Sequence, residues 1–443
     1  MSSVTTIQLS LKRNNLVFDK NNKPKTVSFE IGDDEGENNV RIELSVAKVF
    51  HKVLNFIRED SEIFQKEEFE LLGEILSKII FGKHSDLRVM VLDDVLLGLK
   101  ADSRNRCRIL LNFDATSGMA DLPWEYLLHK FRDTKESFYL SASTASRFQM
   151  VRYFPDVKPL PATAGQVLFV ILLLSLDGNP NAIPRISSLI TERGNIIDMI
   201  RHLAETTDKQ LEFKILEDGF VEDLASGIAE IVEGWRKDFG FDPPYIVHYV
   251  GHSYFDRQTQ FGKVVMKKAD DGLTDWIVDA DFASVFLPGR MEVPRPSAVF
   301  FHSCDSAKIG VMGGMLHGVA YECLQSGISA VVGMQNEINL HQSCAFYHEV
   351  YKNLLDGADI AESVTRGRSH LGNSTKDYMN RKLQPFGSPY KSNYFGSPVL
   401  FMSAGEPITL IQPPVRTSDQ QAPDLPTNAD VAAQFGFGDR ARR

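Results

Sequence analysis

The feature that most constrains this chain is an alternation. Between residues 161 and 404, short apolar runs take turns with longer segments of helical spacing. "QVLFVILLLSL" reads as a strand, "ISSLITERGNIIDMIRHLA" as an amphipathic helix, "LEFKIL" as a strand of period two and "VEDLASGIAEIVEGWRKDF" as a second helix. "YIVHYV", "SAVFFHS" and "ISAVVGM" are three further strands, and "GMLHGVAYECLQSG" predicts a helix stopped by Gly327. Strands that are apolar along their whole length need cover on both faces. The pattern therefore predicts an α/β fold, a mainly parallel sheet with helices on both faces. In such sheets functional groups collect beyond the carboxyl ends of the strands.

The flanking regions read differently. In residues 1–160, "TVSFEI" and "VRIEL" alternate as strands, "AKVFHKVLNFI" and "EEFELLGEILSKIIF" have helical spacing, and "CRILLNF" is a strand followed by "DLPWEYLLH". This predicts an N-terminal α+β region closed by a proline-rich linker, "YFPDVKPLPATAG". Residues 405–443 contain "QPPVRTSDQQAPDLPTNAD", polar and proline-rich, and read as a disordered tail. No internal repeat recurs, including the 34-residue period of tetratricopeptide repeats.

Composition narrows the function classes. The 443 residues are 43% hydrophobic and 24% charged, an ordinary globular balance. A net charge of −10 with no long basic block argues against nucleic acid as a partner. The four cysteines, Cys107, Cys304, Cys323 and Cys344, form no paired disulfide framework, which points to the cytoplasm. The start, "MSSVTTIQLSLKRNN", does not read as a signal peptide, and the apolar run at 167–176 is too short to cross a membrane. His302, Cys304, His317, Cys323, His341, Cys344 and His348 are dense in sequence but lack Cys-x-x-Cys or His-Glu-x-x-His spacing. No phosphate loop is present. The expectation is no metal and no cofactor.

Two strand ends carry the chemistry. "YIVHYVGHS" ends in Gly251, His252 and Ser253, and "AVFFHSCDS" ends in Ser303, Cys304 and Asp305. If the strands lie side by side and parallel, His252 and Cys304 emerge on one rim. A thiol beside an imidazole is the minimum for nucleophilic acyl transfer: Cys304 as nucleophile, His252 as general base and then acid. The backbone N–H groups of Ser253 and Cys304 are the candidate oxyanion donors.

These motifs, with about 50 residues between histidine and cysteine, resemble the clan of caspases and separases. "HYVGH" and "SCDSAKIG…GGMLHGVAYECLQSGISAVVGMQNEI" are most similar to its CHAT proteases. "LPWEYLL" at 122–128 and "FYLSASTASRFQMVR" resemble further recurrent elements of that family, so the likeness covers roughly residues 40–404. It implies a caspase-like protease domain at 161–404. By likeness to separases, it also implies a non-catalytic, pseudo-protease companion at 1–160. It further implies a protein substrate, an activating protein partner or signal, and a place in a prokaryotic antiviral defence or regulatory system. Many relatives carry Gly after the histidine, where this chain has Ser253. The caspase Gln-Ala-Cys-x-Gly signature is absent, so specificity for aspartate is not implied.

Each candidate also has a plainer reading. Cys304 taken alone reads as a small core residue, and it is the pairing with His252 that favours a nucleophile. Asp305 either lines a substrate pocket for a basic side chain or caps the next helix. His248, His302, Cys323 and Cys344 read as structural, and Trp124 as a packing anchor. The competing function is an inactive caspase-like scaffold that binds protein partners, and a third is a zinc-dependent hydrolase.

Overall fold

The computed structural model describes residues 4–18, 24–32, 40–45, 66–81, 106–113, 120, 122–130, 137–142, 148–155, 157, 164–175, 187–207, 211–217, 220–267, 274–312, 315–336, 338, 340–380 and 394–412. The chain divides into two compact units, one drawn from within Met1–Met150 and Arg368–Gly396, the other from within Val151–Gly367 and Ser397–Pro413.

In the first unit, strands β1 (Val4–Phe18), β2 (Pro24–Gly32) and β3 (Val40–Ser45) form an antiparallel meander, and β4 (Arg106–Phe113) pairs parallel to β1 on its other side. Helix α1 (Lys66–Phe81) follows the "EEFELLGEILSKIIF" pattern. The short strands β5 (Leu128–Lys130) and β6 (Ser137–Tyr139) pair antiparallel. The "LPWEYLL" element is a single 3-10 turn at Trp124–Tyr126, with the Trp124 ring fully buried. The helix expected at "AKVFHKVLNFI" lies outside the described residues.

The second unit is built on a sheet of order β7-β18-β17-β14-β10-β8-β9. Its strands are β7 (Phe148–Tyr153), β8 (Leu168–Leu174), β9 (Leu211–Glu217), β10 (Tyr245–Val250), β14 (Ala298–His302), β17 (Ala330–Met334) and β18 (Pro398–Met402). All neighbours run parallel except β17 and β18. Every residue of β8, β10, β14 and β17 is buried, which is why these segments are continuous apolar runs.

Helices cover both faces. Helix α2 (Ser187–Thr206) follows β8. Helix α3 (Leu224–Phe239) buries Leu224, Ile228, Val232 and Trp235, one stripe at helical spacing, and sets Trp235 against Phe169 of β8, ring centroids 5.0 Å apart. Helix α4 (Asp279–Ser284) covers the same face, with Phe282 against Tyr249 and Phe301. Helix α5 (Val319–Gln325) precedes β17. On the opposite face α6 (Leu340–Leu355) lays Tyr347 and Tyr351 over His248, Phe300 and His302. Helix α7 (Ile360–Asn380) follows.

Two smaller sheets rise from the strand ends. Strands β11 (Ser253–Asp256), β12 (Phe261–Lys267) and β13 (Thr274–Val278) form an antiparallel meander straight after β10. Strands β15 (Gly310–Met312) and β16 (Met315–His317) form a hairpin after β14. The hairpin occupies the first part of the helix expected at "GMLHGVAYECLQSG". Gly318 has φ +144°, and a Cβ there would sit 2.2 Å from the Lys308 carbonyl oxygen, so the chain must break before α5 begins. The stop at Gly327 is as expected: its φ is +96° and its N–H donates to Leu324 C=O (2.9 Å). Residues 405–412 are held in the second unit: Ile360 N–H donates to Ile408 C=O (3.0 Å) and Gln412 N–H to Gly165 C=O (2.8 Å). The rest of the expected tail lies outside the described residues.

Candidate functional site

Strands β10 and β14 pair in parallel from Ile246↔Ala298 to Val250↔His302. The ladder runs one step further, Gly251 N–H donating to His302 C=O (3.4 Å). His252 and Cys304 therefore stand at equal distance beyond the last pair of two neighbouring strands, on the carboxyl rim of the sheet. The hydroxyl of Ser253 closes the gap between the tips by donating to Cys304 C=O.

The backbone of His252 is pinned from below. Val265 N–H donates to its carbonyl (3.0 Å), and the Tyr249 hydroxyl lies 2.8 Å from the same oxygen and 2.9 Å from Val265 C=O. Tyr249 folds under the turn so closely that a Cβ on residue 251 would meet its hydroxyl at 2.5 Å, which is why a glycine precedes the histidine. Ser253 stands opposite Val264. The Val265-to-His252 bond marks that pair as non-hydrogen-bonded, so the Ser253 N–H and C=O turn away from β12. The His252 ring is half-buried, and among the described residues nothing hydrogen-bonds to it. Burial lowers its pKa from the ordinary 6.5, favouring the neutral ring that can take a proton.

Cys304 opens a tight turn held on two sides. Ser306 Oγ donates to Ser303 C=O (2.9 Å) and accepts from Met334 N–H (2.9 Å); Ala307 N–H donates to Met334 C=O (2.9 Å). Ala320 N–H donates to Ser306 C=O (3.0 Å), tying the turn to the start of α5. Asp305 sits in the left-handed region at φ +59°, a conformation that aspartate tolerates better than most residues. It caps no helix, because the next element is β15. Its carboxylate pairs with Lys308 at 2.8 Å, both side chains 13% exposed.

The other cysteines differ. Cys107 and Cys323 are fully buried; burial pushes the Cys107 thiol up to about 12 and the Cys323 thiol well above its ordinary range, with Glu322 and Asp279 adding to the latter. Neither is a thiolate near neutrality. Cys304 and Cys344 are partly exposed, and Cys304 alone of the four stands at a strand tip.

His248 and His302 lie inside. His248 Nδ1 is 2.8 Å from the Tyr351 hydroxyl, and the His302 ring stacks on Tyr347 at 5.6 Å. Burial lowers both pKa values, His302 to about 3, so both are neutral packing groups. Among the described residues no three His, Cys, Asp or Glu side chains cluster as a metal site, and no helix is long and apolar enough to cross a membrane.

Tyr249, Ser175 and Ser306 escaped the sequence reading. Ser175 Oγ donates to Val265 C=O, the acceptor that Tyr249 also reaches, and completes the support under His252. The available signals were an aromatic residue three before the histidine and a second serine two after the cysteine.

The profile of a family described as "CHAT domain" matches residues 85–399. Among solved structures the chain is similar to Saccharomyces cerevisiae separase in two separase–securin complexes. One shares 9% identity over 90% of this chain and 30% of that one, with a TM-score of 0.46. The other shares 10% over 92% and 30%, with a TM-score of 0.43. Chaetomium thermophilum Raptor shares 12% identity over 55% of this chain and 21% of that one, with a TM-score of 0.28. The chain thus spans 30% of the length of the separase chains it matches. No curated protein matches it in sequence.

Proposed function

The chain belongs to the CHAT domain family, and from that premise we propose that it is a cysteine endopeptidase working through Cys304 and His252. The observation that carries this reading is the in-register pairing of β10 and β14, closed by the Ser253-to-Cys304 hydrogen bond. It puts the thiol-bearing and imidazole-bearing residues at the same height on adjacent strand tips.

The chemistry follows from the protonation states. His252 rests neutral, because burial disfavours its charged form. As Cys304 Sγ forms a bond to the scissile carbonyl carbon, its proton passes to the His252 ring. The tetrahedral oxyanion is held by the N–H groups of Ser253 and Cys304; the ladder leaves the former facing away from β12, available to a substrate. Collapse breaks the C–N bond, the imidazolium gives its proton to the leaving amine, and a thioester remains. A water then loses a proton to His252 as it attacks, and thiol and acid are released. With no third group on the His252 ring among the described residues, this is a dyad.

By the same family resemblance we assign residues 1–160 to a non-catalytic companion and 161–404 to the protease. The setting is cytoplasmic, in a prokaryotic defence or regulatory system, with activity released by a protein partner or signal. Proteome-wide mapping of new N-termini in a lysate tests the activity. Cuts made by the wild type and absent with Cys304→Ala support it. Identical termini in both, with equal iodoacetamide labelling of Cys304 in wild type and His252→Ala, would leave a partner-binding scaffold instead.

A further inference from the structure

Among the described residues eight large apolar side chains remain exposed, and four of them lie on the two elements that leave the candidate strand tips. Tyr254, 48% exposed, is on β11, two residues after His252. Val311, Met312 and Met315, 38%, 48% and 62% exposed, are on the β15–β16 hairpin that follows Cys304. The two elements meet: a Cβ on Gly310, the first residue of β15, would touch the Phe255 ring at 2.6 Å and the Gln260 carbonyl at 2.8 Å. The hairpin thus lies against the Phe255 side of β11, and Met312 and Met315, cross-strand partners, share the hairpin face of Gly310. On the other face of β11, Tyr254 packs against Trp276 of β13, centroids 6.0 Å apart.

Two more features specify what this surface takes. Strand β11 is the edge of its sheet, and by the alternation that turns Ser253 outward, Phe255 also presents N–H and C=O away from β12. An edge of this kind is what an added strand pairs with. Two nearby carboxylates, moreover, are paired within the fold. Asp305 pairs with Lys308 and Asp256 with Lys263 (3.1 Å), so neither offers a free charge to a basic side chain.

We propose that β11 and the β15–β16 hairpin bind an extended polypeptide through its apolar side chains, directing the cut to sites flanked by Met, Leu or aromatic residues rather than charged ones. This rests on the peptidase reading of Cys304 and names its substrate class. Isolated exposed apolar residues are commonplace, but three on the one short hairpin that follows Cys304, beside an open sheet edge, mark a binding surface.

The test separates binding from cleavage. Fluorescein-labelled decapeptides of alternating Leu and Ser are titrated by anisotropy against full-length Cys304→Ala protein, alongside decapeptides of alternating Lys and Ser and of alternating Glu and Ser. The expected result is at least about tenfold tighter binding of the Leu peptide, the discrimination one buried apolar side chain supplies. A Met312→Ser/Met315→Ser double variant should abolish the preference. Leu71→Ser, an exposed apolar residue on α1 that is 40% exposed, should keep it. No preference, preference for a charged peptide, or an unchanged preference in the double variant would overturn the proposal. Wild-type cuts that depend on Cys304 should carry the same apolar signature, and charged residues at those cuts would equally overturn it. An apolar preference in binding without any Cys304-dependent cut supports the surface and removes the peptidase reading alone.

Discussion

The same two strands carry similar side chains into opposite circumstances. At the rim, His252 is half-buried with its ring free of hydrogen bonds among the described residues, and Cys304 is partly exposed. A few residues back along each strand, His248 and His302 are sealed under α6 against Tyr347 and Tyr351. The chemistry of imidazole does not distinguish these histidines; their depth in the sheet does. Inside, the ring serves packing and is held neutral to low pH. At the rim, partial burial keeps it neutral yet accessible to a proton donor.

The sharpest test of that contrast is at the rim. Cys304→Ala should lower cleavage at least about 10⁴-fold and shift unfolding free energy by no more than about 0.5 kcal/mol, read by peptide cleavage and thermal melts. His252→Ala should cost about 10²–10⁴-fold in kcat. Because burial lowers the His252 pKa, the acid limb of the wild-type pH–rate profile should have its midpoint below 6.5. A midpoint at or above that value breaks the account of a neutral resting base.

Ser253→Ala removes the link between the tips and should reduce kcat about fivefold, the worth of one hydrogen bond near 1 kcal/mol, with KM little changed. Ser253→Thr should restore most of the loss. A change confined to KM would mean that the hydroxyl meets substrate rather than Cys304.

The interior predicts a different signature, in stability. His248 and His302 are neutral in the fold, with folded pKa values below the unfolded 6.5. The unfolded chain therefore binds more protons as pH falls below 6.5, for His302 down to about 3, and stability should drop by up to about 1.4 kcal/mol per pH unit for each ring. His302→Phe should flatten that slope in urea titrations at pH 7, 6, 5 and 4. An unchanged slope would show that His302 already charges in the native state.

What could be read from the sequence follows the same division by depth. Strands β8, β10, β14 and β17 announce themselves because burial on both faces makes each a solid apolar run. The position of Cys304 and Ser303 after "AVFFH" then marks a strand end. The β11–β13 meander and the β15–β16 hairpin were not legible. "SYFD" and "GVM" are too short for a period, and their form depends on close contacts such as Gly318 beneath Lys308 C=O. Strand β18 was missed because "PVLFM" follows a long polar segment, and its antiparallel pairing with β17 is a tertiary choice. The link from Ser253 to Cys304 joins residues 51 apart and leaves no local trace.

The pairing of β10 with β14 makes competence a matter of counting. Were β14 to slide by one residue, Ser303 would stand where Cys304 does, presenting an alcohol in place of the thiol, and every side chain of the strand would change face. On the proposed Cys304–His252 reading, a molecule threaded in that shifted register should be inert. Titrating a preparation with a thiol-directed inactivator would thus report the fraction of chains that assembled without error, a census of folding fidelity taken one sulfur at a time.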